Sequence, residues 1–335
     1  MKKRTTIDDV AREAGVSRQT VSRAMNGMDG ISVHTRDRVL ETIDDLGYRP
    51  SRLARGMASS QSQTIGLIIG NIIDPAQANV VRGLNDAAEA KNHNVFLRNS
   101  DNIAARELEA LKSLTAENVD GIVITSPSLP AKTLTSFADQ NCPIVVVHRE
   151  VIAKHVSSIT TNTERATRTV VEYLIGAGHQ HIGLITRMGD VEQIRHVWGY
   201  KETLVNRNLP YCSSRIAQAD TNLKGGYEAA YKLLSKDKNL TAIATYNDLM
   251  ALGAMKACAD LGRAVPEDVS IIGYDDIEFA SHIKPSLTTL RFQGYDIGCS
   301  AFERLMEMIN RPEEDFPPVI LNIELVIRDS TCTIY

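Results

Sequence analysis

A chain of 335 residues with 43% hydrophobic and 23% charged side chains has room for two or three domains and the make-up of an ordinary soluble globular protein. Its five cysteines (Cys142, Cys212, Cys258, Cys299, Cys332) are scattered without a C-x-x-C pair. That excludes a disulfide framework or zinc site and suits a reducing, cytoplasmic setting. No apolar run approaches the roughly 18 residues of a membrane span. The basic Met1–Thr5 leads into helix signals rather than a secretory leader. The net charge of -4 hides a division: residues 1–60 hold 11 Lys and Arg against 8 Asp and Glu, the remainder 26 against 33. The N-terminal part is the basic one, as a phosphate-binding head on a neutral-to-acidic body requires.

The stretch Thr6–Gly27, TIDDVAREAGVSRQTVSRAMNG, predicts two short helices around a tight turn. Thr6 is a candidate N-cap, with Asp8 and Asp9 at the positive end of the helix dipole. Ile7, Val10, Ala11 and Ala14 form one buried stripe, and Gly15 supplies the left-handed residue that ends such a helix. Ser17 caps the second helix, whose Val21, Ala24 and Met25 face inward. Arg18, Gln19, Ser22 and Arg23 lie on the other face and are side-chain types that read base edges. The pattern is a helix-turn-helix. An ordinary helical hairpin with a polar outer face is the alternative. A third helix is predicted over about Thr35 to Leu46, with Val39, Leu40, Ile43 and Leu46 inward and Gly47 closing it. Residues 1–48 thus form a small head.

Residues 49–63 read as a hinge and linker. Ser51–Ala58 is enough for two helical turns, marginal alone. It is a plain linker or a hinge that folds on DNA, with Arg52 and Arg55 near phosphates.

From Thr64 short apolar runs alternate with helical patterns. Strands are predicted at Ile65–Ile69, Val95–Arg98, Gly121–Thr125 and Ile144–Val147, with helices over Ala78–Lys91 and Ala104–Glu117 and one between the last two strands. A second series runs from Thr163: helices to Ala177, from about Trp198 to Asn206, over Gly226–Leu234 and over Leu249–Leu261. Its strands are Ile182–Thr186, Ala242–Thr245 and Val269–Gly273. This is an α/β pattern of two doubly wound parallel-sheet lobes behind a small all-α head. A ligand cleft is expected at the carboxyl ends of the strands.

The chain resembles the LacI/GalR family of transcriptional regulators over essentially its whole length. The matching stretches include Val10-Ala11, Gly15-Val16-Ser17, Thr20-Val21-Ser22-Arg23, Gly47-Tyr48 and Val119-Asp120-Gly121. Further on they are Asn247-Asp248-Leu249-Met250-Ala251-Leu252-Gly253, Val265-Pro266-Glu267-Asp268-Val269-Ser270, Gly273-Tyr274-Asp275-Asp276 and Pro285-Ser286-Leu287-Thr288-Thr289. The resemblance implies a helix-turn-helix head, a hinge helix and a core like periplasmic binding proteins. It also implies a homodimer on a near-palindromic double-stranded DNA operator, with a small carbohydrate-type effector between the lobes. The lobes would be residues 64–161 with 290–322, and 162–289 with 323–335.

Carried over by position, Arg18, Gln19 and Arg23 match base-reading residues, and Ser17, Ser22 and Asn26 supporting contacts. Met57 stands where a leucine wedges into the minor groove; it is apolar but more flexible. Asn247 and Asp275 match effector-binding positions, although Asp275 would also suit a loop-capping role. Elsewhere the chain departs from the pattern. Pro75-Ala76-Gln77 replaces an aromatic pair, and His196-Val197-Trp198-Gly199-Tyr200 lacks the usual leading arginine, with Arg195 one place early. The effector set is therefore Gln77, Arg149, Arg195, His196, Asn247 and Asp275. Trp198 is either a substitute stacking face or core. Arg98, His148, Arg149, Arg187 and Arg195, if grouped at the cleft, would favour a sugar acid or phosphorylated sugar over the default neutral sugar.

No G-x-G-x-x-G follows a strand, and the P-loop, G-x-S-x-G and H-E-x-x-H motifs are absent from the sequence. No cofactor or metal is expected. A DNA-binding protein with a vestigial core and a sugar-active enzyme rank below a ligand-responsive repressor. The short stretch after Val326-Ile327-Arg328 leaves no room for a coiled coil of several heptads, so a dimer is expected.

Overall fold

The computed structural model describes residues 5–25, 28–48, 62–189 and 191–334. The described chain falls into two units, up to Gln63 and from Thr64 onward. Asn26 and the hinge positions Arg52, Arg55 and Met57 lie outside the described residues.

In the head, the Thr6 hydroxyl accepts from the Asp9 N–H and the Asp9 carboxylate accepts from the Thr6 N–H at 2.9 Å. This reciprocal capping box opens α1 (Ile7–Glu13). Gly15 has φ +64°, where a side chain would strain the backbone. Ser17 Oγ accepts from the Thr20 N–H at 3.1 Å and starts α2 (Arg18–Met25). α3 (Val33–Asp45) begins two residues before the expected Thr35, because Ser32 is its N-cap. Val10, Ala11, Ala14, Val21, Ala24, Val39 and Tyr48 form the core, with Ile43 and Leu46 packed against it. Leu40 is a correction. Val39, Ile43 and Leu46 follow the i, i+4, i+7 stripe, which turns Leu40 outward to 43% exposure.

The second unit is built on two six-stranded sheets. The first has the order β11-β5-β4-β3-β1-β2, all parallel. Its strands are β1 (Thr64–Ile69), β2 (Asn94–Asn99), β3 (Gly121–Thr125), β4 (Ile144–Val147), β5 (Val156–Thr160) and β11 (Val319–Ile320). The second has the order β12-β10-β9-β8-β6-β7, parallel except for β10 with β12. Its strands are β6 (Ile182–Arg187), β7 (Ile216–Ala219), β8 (Ala242–Thr245), β9 (Ser270–Asp275), β10 (Thr288–Arg291) and β12 (Glu324–Val326). Strands β1, β3, β4 and β6 are buried at every residue, which is why they read as continuous apolar runs.

The helices follow in chain order: α4 (Pro75–Ala90), α5 (Ala104–Ala116), α6 (Ala131–Gln140), α7 (Thr163–Gly176), α8 (Val191–Asn206), α9 (Leu223–Lys236), α10 (Asp248–Asp260), α11 (Glu278–His282) and α12 (Gly294–Asn310). Pairs α4 with α12 and α9 with α10 pack most extensively. Separate apolar clusters lie on the two faces of each sheet. The chain passes between sheets after β5, after β10 and after β11. Each sheet therefore ends in a strand drawn from the last 17 residues of the sequence.

Candidate functional site

The carboxyl ends of both sheets border a cleft enclosing about 920 Å³ of free space, open solvent at its mouth included. The strand registers set its walls. Ile185 pairs with Thr245 and Ala244 with Ile272, so Arg187, Asn247 and Asp275 all come at the carboxyl ends of neighbouring strands. With strands about 4.8 Å apart, Arg187 and Asp275 are separated by about 10 Å. In the other sheet the pairs Ile68–Ile124 and Thr125–Val147 bring Ser126 and His148 to the corresponding edge. Arg187, Asn247, Asp275, Ser126 and His148 line the cleft, together with Asp74, Gln77, Asn102, His196, Thr221, Tyr246 and Tyr274.

Asp275 has φ +121°, unusual for a non-glycine residue and held by the loop that follows. That loop is fixed by Asp248, fully buried at the start of α10. Its carboxylate accepts from the Thr289 hydroxyl at 2.6 Å and from the Ile277 N–H at 2.9 Å. Gly273 must be glycine, since a Cβ there would lie 2.0 Å from the Asp248 Oδ1. Burial, followed by the facing carboxylates Asp74 and Asp248, raises Asp275 well above the ordinary carboxylate range. Burial likewise pushes Asp248 up to about 7 and raises Asp74, which caps α4 by accepting from the Ala76 N–H at 3.0 Å.

Asn247 is held at both ends of its amide. Its Oδ1 accepts from the Met250 N–H at 2.9 Å, capping α10, and its Nδ2 donates to the Thr221 carbonyl at 3.4 Å. The Gln77 Oε1 accepts from the N–H groups of Gly70 (2.8 Å) and Asn71 (3.2 Å) and from the Thr125 hydroxyl. It ties the loop after β1 to the end of β3. The His196 Nδ1 is 2.9 Å from the Thr186 hydroxyl, and its ring meets Tyr246 edge-on. Burial lowers both His196 and His148 to about 4, with the Arg187 charge a second cause at His148, so both rings are neutral near pH 7. The Arg187 guanidinium sits 5.7 Å from the centre of the Tyr246 ring.

The cleft thus gathers Gln77, His196, Asn247 and Asp275 of the expected set, and two expectations need correction. Arg149 donates to the Pro127 carbonyl at 3.0 Å and the Leu129 carbonyl at 2.5 Å, so its buried guanidinium anchors the loop after β3. Arg195 points to Glu150 (3.0 Å) and Glu192 (3.4 Å) and is not among the lining residues. Arg98 donates to the Leu97 carbonyl and the Ser113 hydroxyl. Trp198 is neither a stacking face nor core; it is 54% exposed. Asp74 and Tyr246 were not singled out from the sequence. Only Asp74 carried a local signal, an Asp before a Pro at a helix start.

In the head, Arg18, Gln19 and Arg23 are exposed and Ser22 is half-buried on α2. Ser17 is occupied in capping, and Arg18 pairs with Asp8 at 3.0 Å on the surface. Gln19 and Arg23, one helical turn apart, present a polar face beyond the buried Val21 and Ala24.

Residues 6–51 match the model for bacterial regulatory proteins of the lacI family, and residues 171–331 match that for periplasmic-binding-protein-like domains. Catabolite control protein A of Priestia megaterium is 36% identical over 328 residues, covering 97% of this chain and 99% of that protein. The chain belongs to the lacI family. Among solved structures of this family, the lac repressor dimer bound to operator and an anti-inducer superposes with a TM-score of 0.87 at 28% identity, covering 98% of this chain and all of that one. The complex of the transcriptional regulator CelR with cellobiose gives 0.74 at 28% identity over the same share of this chain and 100% of its own. Among the described residues, no helix is long and apolar enough to cross a membrane.

Proposed function

We propose that this lacI-family regulator is a cytoplasmic repressor, without catalytic turnover. As a homodimer it binds a near-palindromic operator, and a small carbohydrate in the cleft controls that binding. The observation that carries the reading is the cleft itself: a row of hydrogen-bonding side chains at the strand ends, in a chain that also presents Gln19 and Arg23 on a helix-turn-helix. Gln19 and Arg23 read bases. Arg52 and Arg55 contact phosphates, and Met57 enters the minor groove.

Charge favours a neutral sugar over a sugar acid or phosphate. Of the five basic side chains that an anion would need, only Arg187 and the neutral His148 line the cleft. The ligand of the CelR complex, cellobiose, is of the same neutral class.

Asp275→Asn tests the sensor directly. It keeps the side-chain volume but replaces one carboxyl oxygen with an amide nitrogen that cannot accept, which leaves a ligand hydroxyl mismatched at about 1–3 kcal/mol. Effector affinity is expected to fall roughly tenfold or more while operator affinity without effector stays at the wild-type level. Calorimetry and fluorescence anisotropy on one preparation read the two quantities. Operator binding that no carbohydrate alters in the unmodified protein would instead indicate a core that has ceased to sense a ligand.

A further inference from the structure

Away from the cleft, β7 is the last strand of the second sheet and is paired on one side only, with β6. Its residues Ile216, Ala217, Gln218 and Ala219 carry neither charge nor proline, the devices that usually blunt an open strand edge. Beside them runs a groove of about 1420 Å³ of free space, open solvent at its mouth included, lined by all of β7 and by side chains of α9. It shares no lining residue with the cleft. Both ends of the α9 wall are pinned to the strand. Gly225 lies so close to the end of β7 that a Cβ would meet the Asp220 carbonyl oxygen at 2.2 Å. At the other end the Arg215 Nε donates to the Asp237 carboxylate at 2.8 Å. The groove is therefore preformed, with Ala217, Ala219, Ala229 and Leu233 as its apolar floor. Its charge is carried by lysines. Lys224 reaches Glu228 at 3.8 Å, whereas the exposed Lys232 and Lys236 have no ion-pair partner among the described residues.

We propose that this groove docks an acidic, extended segment of a partner protein, which adds to β7 as a further strand and sets alternate carboxylates against Lys232 and Lys236. Main-chain hydrogen bonds to the open edge supply affinity in such an arrangement, and side chains at every second position supply selectivity. The spacings agree. Lys232 and Lys236 stand one helical turn apart, about 6 Å along α9, and alternate residues of a strand repeat at about 6.6 Å. Two carboxylates two residues apart thus meet two ammonium groups one turn apart. β7 is about 13 Å long and α9 about 21 Å, so the wall runs past both ends of the strand that it flanks. A basic segment would be repelled by the same lysines. A second copy offering its own β7 would bring no charge to meet them, since Ile216–Ala219 has none. The proposal goes beyond the ligand-responsive reading and does not depend on it.

The test uses the full chain and fluorescein-labelled octapeptides in which valine alternates with glutamate, glutamine or lysine. Fluorescence anisotropy at physiological salt is expected to show the glutamate peptide bound at least about tenfold more tightly than the glutamine peptide, and the lysine peptide weakest. The double variant Lys232→Glu with Lys236→Glu should reverse the order of the glutamate and lysine peptides. Its unfolding temperature should stay at the wild-type value, because both side chains are on the surface. Glutamate peptides N-methylated on one or the other set of alternate nitrogens separate strand addition from plain charge attraction. Methylation of the set that faces β7 should abolish binding, and methylation of the other set should leave it within about twofold. Binding that survives methylation of either set, or that the double variant keeps, would rule out strand addition at β7. Failure of the unmodified chain to take up the glutamate peptide at millimolar concentration would remove the docking role altogether. If amide exchange at residues 216–219 then slows with rising protein concentration, the occupant is a second copy and the acidic partner is refuted. None of these outcomes alters the reading of the cleft.

Discussion

Titratable side chains in the cleft and buried behind it pull stability in opposite directions with pH. His148 and His196 bind a proton at about 4 in the folded chain and at about 6.5 when unfolded. Their contribution is present in full above pH 6.5 and is lost as pH falls toward 4. Asp248 behaves inversely: raised to about 7, it contributes fully only below the ordinary carboxylate range, and that contribution is lost as pH rises through 7. Around the two imidazoles, Arg187 at the end of β6, Asp74 before α4 and Asp275 at the end of β9 complete the charged groups lining the cavity. The expected outcome is that the imidazole signals of His148 and His196 in proton–nitrogen spectra stay those of neutral rings at pH 5.5. Signals that titrate near 6.5 would contradict the buried, neutral state of the two rings.

Single elements decide the DNA-reading side. Gln19 and Arg23 occupy one exposed face of α2, where each can meet a base edge without disturbing the Val21 and Ala24 packing beneath. Gln19→Ala and Arg23→Ala are expected to cost roughly 1–3 kcal/mol each on operator, relax preference at particular base pairs and leave head stability near wild type. Equal loss on operator and on random DNA would assign them to phosphates instead. Elements also explain what was legible beforehand. The helices of the head announced themselves through Thr6, Gly15 and Ser17, and buried strands such as Ile144–Val147 through unbroken apolar runs. β5, with sequence VSSIT, was not legible. Its Ser157 and Ser158 are fully buried, and the Ser158 hydroxyl is satisfied by the Val151 backbone seven residues earlier, a repair that no periodicity reveals. Asn247 and Asp275 were legible from their motifs. Arg149 and Arg195 were misplaced because sequence puts them near the strand ends but not the direction of their guanidinium groups. Asp74 and Tyr246 owe their place to strand register and loop course.

At the scale of the second unit, an ion pair between residues that do not line the cleft joins its halves. Arg195 of α8 reaches Glu150, which follows β4 in the other sheet, and also holds Glu192, whose carboxylate accepts from the Thr163 hydroxyl at 2.6 Å. Both partners of the cross-sheet pair are about one-third exposed, so screening limits its worth to about 0.5–1 kcal/mol. That is a two- to fivefold bias between closed and open arrangements, enough to tune a sensor and too little to lock it. Arg195→Ala is expected to lengthen the separation between spin labels placed on the two lobes, and 1 M salt to produce the same shift in the unmodified chain. The double reversal Glu150→Arg with Arg195→Glu should restore the shorter distance at low salt. No change in any of these would mean that packing alone sets the lobe spacing.

The strands that complete the two sheets have a consequence for synthesis. β11 and β12 add to β5 and β10 only after residues 319–326 have left the ribosome, whereas the head has its own core within residues 5–48. At ordinary elongation rates tens of seconds separate the two events. Throughout that interval the nascent chain carries a finished DNA reader and an unfinished sensor, and the edges of β5 and then β10 stay open to foreign strands once each has emerged. A chaperone that covers parallel strand edges would be required for yield most acutely in this window. Translational pauses late in the message, rather than early, would lower the fraction of chains that become regulators.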